Sequence, residues 1–211
     1  NNILNYAMLQ KIDIIAVTDH NSLQQQYTLD KIKSSYDLLF IYGVEVTSKE
    51  GVHVLCYFRT LNDVRQMEEF LLEYVITKDA REEQLLFDEN DTVVGEYPYD
   101  LLCNLSLTIE LLQQQVERLK GLFCLAHIDR YNEITIIETL KYISLFHAIE
   151  VSSMEQINRM EQRFPELKKS KYLLNSDAHD LVQIGTQQAT IQLTEKSVEA
   201  FFRHFREGKN D

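Results

Sequence analysis

Cationic charge is scarce in this chain. Across 211 residues, 21 Lys and Arg stand against 33 Asp and Glu, a formal net charge of -12. A surface this acidic repels nucleic-acid phosphate, so extended nucleic-acid binding is not expected. It leaves room for a nuclease whose site neutralises phosphate locally. Glycine and proline are few, at six and two, so no flexible linker divides the chain, and no internal repeat or low-complexity tract is visible. One domain over residues 1–211 is the expectation. Cysteine occurs three times, at Cys56, Cys103 and Cys124. An odd count without a CxxC pair argues for reduced, mostly buried thiols in a cytoplasmic protein. No apolar run approaches the ~18 residues of a membrane span, and no signal peptide opens the chain. Nucleophilic Ser or Cys motifs and Gly-rich phosphate loops are missing as well.

What is present alternates between two periods. Ile12–Thr18, Leu38–Thr47, Val52–Phe58, Leu122–Ile128, Ala148–Ser153 and Tyr172–Asp177 read as buried strands from their β-branched and apolar runs. Asn2–Lys11 reads as a helix. Apolar stripes at Val64, Met67, Phe70, Leu71 and Tyr74, at Ile109, Leu112, Val116 and Leu119, at Met154, Ile157, Met160 and Phe164, and at Val198, Phe201, Phe202 and Phe205 predict four more. Asn62, Ser106 and Thr194 are the expected caps of the first, second and last stripes, and Pro165 stops the third. The alternation predicts an α/β fold with mostly parallel strands. Gln84–Tyr97 breaks it and reads as an inserted hairpin with DEND at its turn. The joins at Ile76–Lys78 and Tyr131–Asn132 are abrupt.

Chemistry gathers at the strand ends. His20, His53, His127 and His179 all stand at the end or edge of a predicted strand, and so do Asp19 and Asp177. Glu45 lies inside the apolar run GVEVT, where an unpaired carboxylate is costly to bury and a cation would relieve the cost. Taken singly, a strand-end His reads as an ordinary hydrogen-bonded residue, and Asp19 as a helix cap. Taken together, strand ends of a parallel α/β fold share one face, where ligands bind. Imidazole and carboxylate suit Zn, Mn or Fe. With no nucleophilic side chain in view, metal-activated water is the expected nucleophile. His147 and His204 sit in helix-like contexts and read as structural.

TDHN (Thr18–Asn21), GVEVTSKEGVHVLCYF (Gly43–Phe58), AHIDR (Ala126–Arg130) and SDAH (Ser176–His179) occur in this order. Together they resemble the successive motifs of the PHP (polymerase and histidinol phosphatase) superfamily, from about Ile12 to Gly185. The stand-alone, metal-dependent phosphoesterase branch is the nearest in look. The resemblance implies a distorted (β/α)7 TIM-like barrel with two or three divalent metal ions at the C-terminal face of its strands. It implies hydrolysis of a phosphate ester of a small metabolite, nucleotide or short oligonucleotide. By that match His20, Glu45, His127, Asp177 and His179 are ligands, Glu45 being the bridge, and His53 matches the position before its apolar strand. Asp19 is a ligand or supports one. Glu45 and His179 are the catalytic candidates. Arg130 is a candidate for gripping substrate phosphate, with a surface salt bridge as its plain alternative. The family opens on a strand carrying His-x-His, which this sequence does not contain; that strand is expected just ahead of Asn1, making seven with the six above. Without it, a non-catalytic module acting through a protein partner is the second expectation.

Overall fold

The computed structural model describes residues 1–76, 83–187 and 189–207. The chain opens with α1 (Asn2–Leu9) and runs through β1 (Ile14–Val17), α2 (Gln24–Ile32), β2 (Leu39–Thr47), β3 (His53–Phe58) and α3 (Leu61–Leu72). The hairpin β4 (Leu85–Phe87) and β5 (Val93–Glu96) follows, then α4 (Ile109–Arg118), β6 (Leu122–Leu125), α5 (Glu133–Leu140), β7 (Ala148–Val151), α6 (Met154–Arg163), β8 (Tyr172–Leu174) and α7 (Val198–Arg206). All six expected strands form, in one curled sheet of order β1-β2-β3-β6-β7-β8. It is a half-barrel: β1 and β8 are its two edges and do not pair with each other.

The expectation of parallel strands needs one correction. β1 and β2, β6 and β7, and β7 and β8 pair in parallel, but β3 is antiparallel to both of its neighbours, β2 and β6. The cause is local. Only Ser48–Val52 joins β2 to β3, and Gly51, at φ 75°, supplies the left-handed residue that lets the chain double back. A parallel return would need a crossover of a dozen residues. Because β3 is reversed, its first residue, His53, lies at the same end of the sheet as the last residues of β1, β2 and β6.

The sheet has two dry faces. On the convex face Val44, Val46, Val54, Cys56, Phe58, Phe123, Leu125, Ile149 and Val151 pack against the helices. On the concave face Ile41, Leu55, Tyr57, Leu122, Cys124, Ala148 and Leu173 meet Phe201, Phe202 and Phe205 of α7. The period of two therefore separates the two clusters along every strand. α7 closes the end of the half-barrel away from the histidines, where Arg59 stacks on Phe202 with 3.9 Å from its guanidinium carbon to the ring centroid. Phe202 is fully buried, and truncating such a ring costs about 3–5 kcal/mol.

The capping residues shift from those expected. Thr60, not Asn62, caps α3 in a reciprocal box with Asp63; Thr108, not Ser106, caps α4; and Ser197, not Thr194, caps α7. A hairpin forms within Gln84–Tyr97, and Asp88 Oδ1 accepts from the N–H groups of Asn90 and Thr92 across its turn. Of the abrupt joins, Thr77 and Lys78 lie outside the described residues; at the other, Asn132 caps α5 by accepting from Thr135. Among the described residues, no helix is long and apolar enough to cross a membrane.

Candidate metal centre

Glu45 is the hub. It sits near the end of β2, 4% exposed, on the concave side. Its Oε1 lies 2.6 Å from His53 Nδ1 and 3.1 Å from His127 Nε2. Register explains the first contact: Glu45 pairs with Leu55 and Thr47 with His53, so Glu45 and His53 are diagonal neighbours on one face. Two residues earlier, Gly43 leaves room on that face. A Cβ there would stand 2.7 Å from Thr18 Cγ2 and 3.1 Å from the Tyr57 ring, so a side chain would force β1 away from the hub.

His20 arrives from the loop after β1. It forms an isolated parallel bridge with Glu45, in which Glu45 N–H donates to the Asp19 carbonyl and Asn21 N–H to that of Glu45. Buried Asn21, at φ 51°, locks this loop: its Oδ1 accepts from Thr47 N–H, and its Nδ2 donates to the carbonyls of Leu101 and Cys103. The ring centroids of His20 and His53 are 5.7 Å apart, and those of His53 and His127 5.1 Å. One donor atom from each of His20, Glu45 and His53 falls within 4.8 Å of the others.

The segment after β8 behaves differently from its strand-like reading. β8 stops at Leu174, and Asp177 adopts φ 46°, so the two-residue alternation of an extended strand does not aim Asp177 and His179. The Asp177 carboxylate forms an ion pair with Arg130. The His179 ring stands 6.1 Å from that of His20, with Nδ1 3.0 Å from the Asp177 carbonyl oxygen. Asp19 makes its contact with the hub through its carbonyl. Thus His20, Glu45, His53 and His127 are brought together, His179 flanks them, and Asp177 and Arg130 hold each other beside them.

Electrostatics suit a cation here. Burial works against the charge on Glu45, yet the hydrogen bonds of His127 and His53 and the nearby His20 hold its carboxyl well below the usual range. Burial lowers the pKa of His20, against the pull of Glu45. For His127 burial also lowers the pKa, but the bond and charge of Glu45 outweigh it and the net shift is upward. Burial pushes Asp19 up to about 6. His127 Nδ1 is buried with no hydrogen-bond partner among the described residues, and Nε2 is the nitrogen of that ring that faces the hub. An ionised carboxylate ringed by imidazoles fits Zn, Mn or Fe.

Sequence reasoning missed Glu150. It lies on β7, 4% exposed, within the run AIEV. The rule that singled out Glu45, a carboxylate inside an apolar strand, applies to it equally. His147, expected in a helix, precedes β7 instead; its Nδ1 accepts from Phe123 N–H and its Nε2 faces Glu117.

No family model matches the chain, and no curated protein does. Solved structures do. The lesion-specific endonuclease PfuEndoQ from Pyrococcus furiosus matches with a TM-score of 0.67 and 19% identity over 96% of this chain and 49% of its own. Endonuclease Q in complex with a 27-mer duplex bearing an abasic lesion at its active site matches at 0.68 and 18%, over 97% and 50%. The chain thus spans about half the length of these two structures. An amidohydrolase from Chromobacterium violaceum, with sulfate bound and no metal, matches at 0.59 and 14%, over 96% and 90%. At these identities the fold is what is shared. One expectation is overturned. A net charge of -12 had argued against extended nucleic-acid binding, but Endonuclease Q, which shares this fold over half its length, holds a 27-mer duplex substrate. Net charge sums over the whole surface, whereas a groove is set by the charges that line it.

Proposed function

We propose that this chain is a metal-dependent phosphoric ester hydrolase of the PHP type. It would act on a phosphate ester of a nucleotide, an oligonucleotide or a small metabolite, with phosphodiesters of nucleic acid among its substrates. The observation that carries this is the convergence of His20, His53 and His127, from three separate segments, on the buried carboxylate of Glu45. Beside them opens a cleft of about 1150 Å³, lined by His20, Glu45, Asp177 and His179. The likeness of fold to Endonuclease Q supports the same reading.

His20, Glu45, His53 and His127 would hold two or three divalent ions, Glu45 bridging, with Asp19, Asp177 and His179 completing the set. When bound, such ions supply Lewis acidity and lower the pKa of water. Arg130 would release Asp177 and grip a phosphoryl oxygen through its planar fork. Nδ1–H of His179 faces the Asp177 carbonyl, so Nε2 is the nitrogen left to face the site as a ligand. A second reading, a non-catalytic module acting through a partner, draws on the pairing of the Asp177 carboxylate with Arg130.

The test compares wild type with Glu45→Gln for metal content, thermal midpoint, and hydrolysis of an aryl phosphodiester and of an abasic-site duplex. The expected outcome is a folded variant with less than about one-hundredth of wild-type turnover, as for loss of a charge acting directly at a reacting centre. Near-normal hydrolysis by Glu45→Gln refutes the reading. Wild type that binds metal but turns over neither substrate favours the non-catalytic module.

A further inference from the structure

Glu150 lines the same cleft as the hub, and its placement is hard to explain by packing. β7 is buried throughout. Within it, Ile149 and Val151 join the convex cluster and Ala148 the concave one, so Glu150 projects into the concave interior. A carboxylate there is costly unless both oxygens are bonded. Both are. Oε2 accepts from His127 N–H at 3.1 Å, and Oε1 from Asn175 Nδ2 at 2.7 Å.

Each partner stands at a point where the chain must turn towards the hub. His127 follows the end of β6 with φ 26° and ψ 54°, a left-handed conformation that costs a non-glycine residue about 1–2 kcal/mol. That kink is what swings its ring to Glu45. It also turns its N–H out of the sheet ladder, where β7 supplies no backbone acceptor for it. Glu150 is the acceptor. Asn175 is the first residue past β8, at the root of the segment that carries Asp177 and His179. One carboxylate therefore anchors the bases of two segments that bear site residues, without touching either imidazole.

We infer that Glu150 is a positioning residue: it fixes the backbone of His127 and the root of the Asp177–His179 segment, and so sets the geometry of the site. This rests on the proposed function for its consequence, and on the hydrogen bonds alone for its mechanism. The chemistry separates two substitutions. Glu150→Gln keeps an oxygen for His127 N–H, and Asn175 can flip to offer Oδ1 to the new amide. Glu150→Leu has similar bulk and no acceptor, leaving the N–H of half-buried His127 and the amide of half-buried Asn175 without it.

Two readouts decide it. The first is the backbone amide resonance of His127 in chelator-treated, isotopically labelled protein, where a carboxylate bond holds the proton downfield. The second is Mn(II) affinity by calorimetry. Glu150→Leu is expected to move the His127 amide upfield and weaken Mn(II) binding about 10–100-fold, the usual cost of losing a group that orients a ligand. Glu150→Gln is expected to stay within about threefold of wild type, well short of that range. If Glu150→Leu does not fold, Glu150→Asp, one methylene too short to reach both partners, takes its place with the same expectation. An unmoved His127 amide in the Leu or Asp variant overturns the inference. Wild type that binds no Mn(II) overturns the proposed function, while the amide shift still decides the role of Glu150.

Discussion

Asp19 is the side chain whose role a pH titration reads most directly. Its pKa rises from 3.8 to about 6 on folding, through burial. The folded chain therefore holds more protons than the unfolded one between those values, and this group makes stability fall as pH rises through that window. Glu45 has the opposite sign. Its folded pKa is depressed from 4.5, so its contribution is present above that value and lost as pH falls towards the folded pKa. Without metal, Asp19→Asn is expected to raise the thermal midpoint at pH 7.5 by about 2–4 °C, the shift that ~1 kcal/mol produces in a chain this long, and to change little at pH 4. With Mn(II) added, the variant should gain less than wild type if Asp19 is a ligand. A midpoint lowered at pH 7.5 in chelator would refute the burial cost. Glu45 was legible because an apolar strand makes a carboxylate conspicuous. Glu150 met the same criterion and was passed over, since its partners, a backbone N–H and an asparagine, carry no signal in sequence. The pairing of Arg130 with Asp177 was equally hidden, because it depends on a left-handed turn at Asp177.

Helix α2 escaped the sequence reading, and its surroundings explain why. QQQYTLDKI offers a thin apolar stripe, and its most buried residue is Gln26, whose Nε2 donates to the Val17 carbonyl at 2.7 Å. Its start is held from another helix. Buried Glu68 of α3 accepts from Leu23 N–H at 2.5 Å, Gln24 Nε2 at 3.1 Å and the Tyr97 hydroxyl at 3.2 Å. This carboxylate caps α2 and ties down the end of the inserted hairpin at once. Glu68→Ala leaves the buried Leu23 N–H and the buried Tyr97 hydroxyl without their acceptor, and is expected to lower unfolding free energy by about 2–4 kcal/mol, measured as a shifted urea midpoint at constant slope. A loss below ~0.5 kcal/mol, the range of ordinary surface changes, would contradict that role. Strands were read well because a buried run announces itself. Caps were displaced by two or three residues because several Ser, Thr and Asn precede each helix and only backbone geometry chooses among them.

Across the whole molecule, candidate ligands distant in sequence meet because a curled sheet brings strand ends to one mouth. Metal binding to that folded constellation, absent from the unfolded chain, must stabilise it. At a free Mn(II) concentration 100 times the dissociation constant the gain is expected to be about 2.7 kcal/mol, read as a rise in the urea midpoint that chelator reverses. No rise at any Mn(II), Zn(II) or Fe(II) concentration would contradict metal binding at the hub. The α/β class and the strand count were legible from alternation alone. The reversal of β3 was legible too, since the few residues between Thr47 and His53 are too short for a parallel crossover, but the alternation of strand and helix pointed the other way. That reversal also orders events in time. Glu45 and His53 are eight residues apart along the chain, whereas Glu45 and His127 are 82 apart. Hairpins close in microseconds, while distant pairings wait on the closure of long loops. Sequence separation therefore predicts that the Glu45–His53 pair forms before β6 docks, with a carboxylate–imidazole pair in place to template the arrival of the rest.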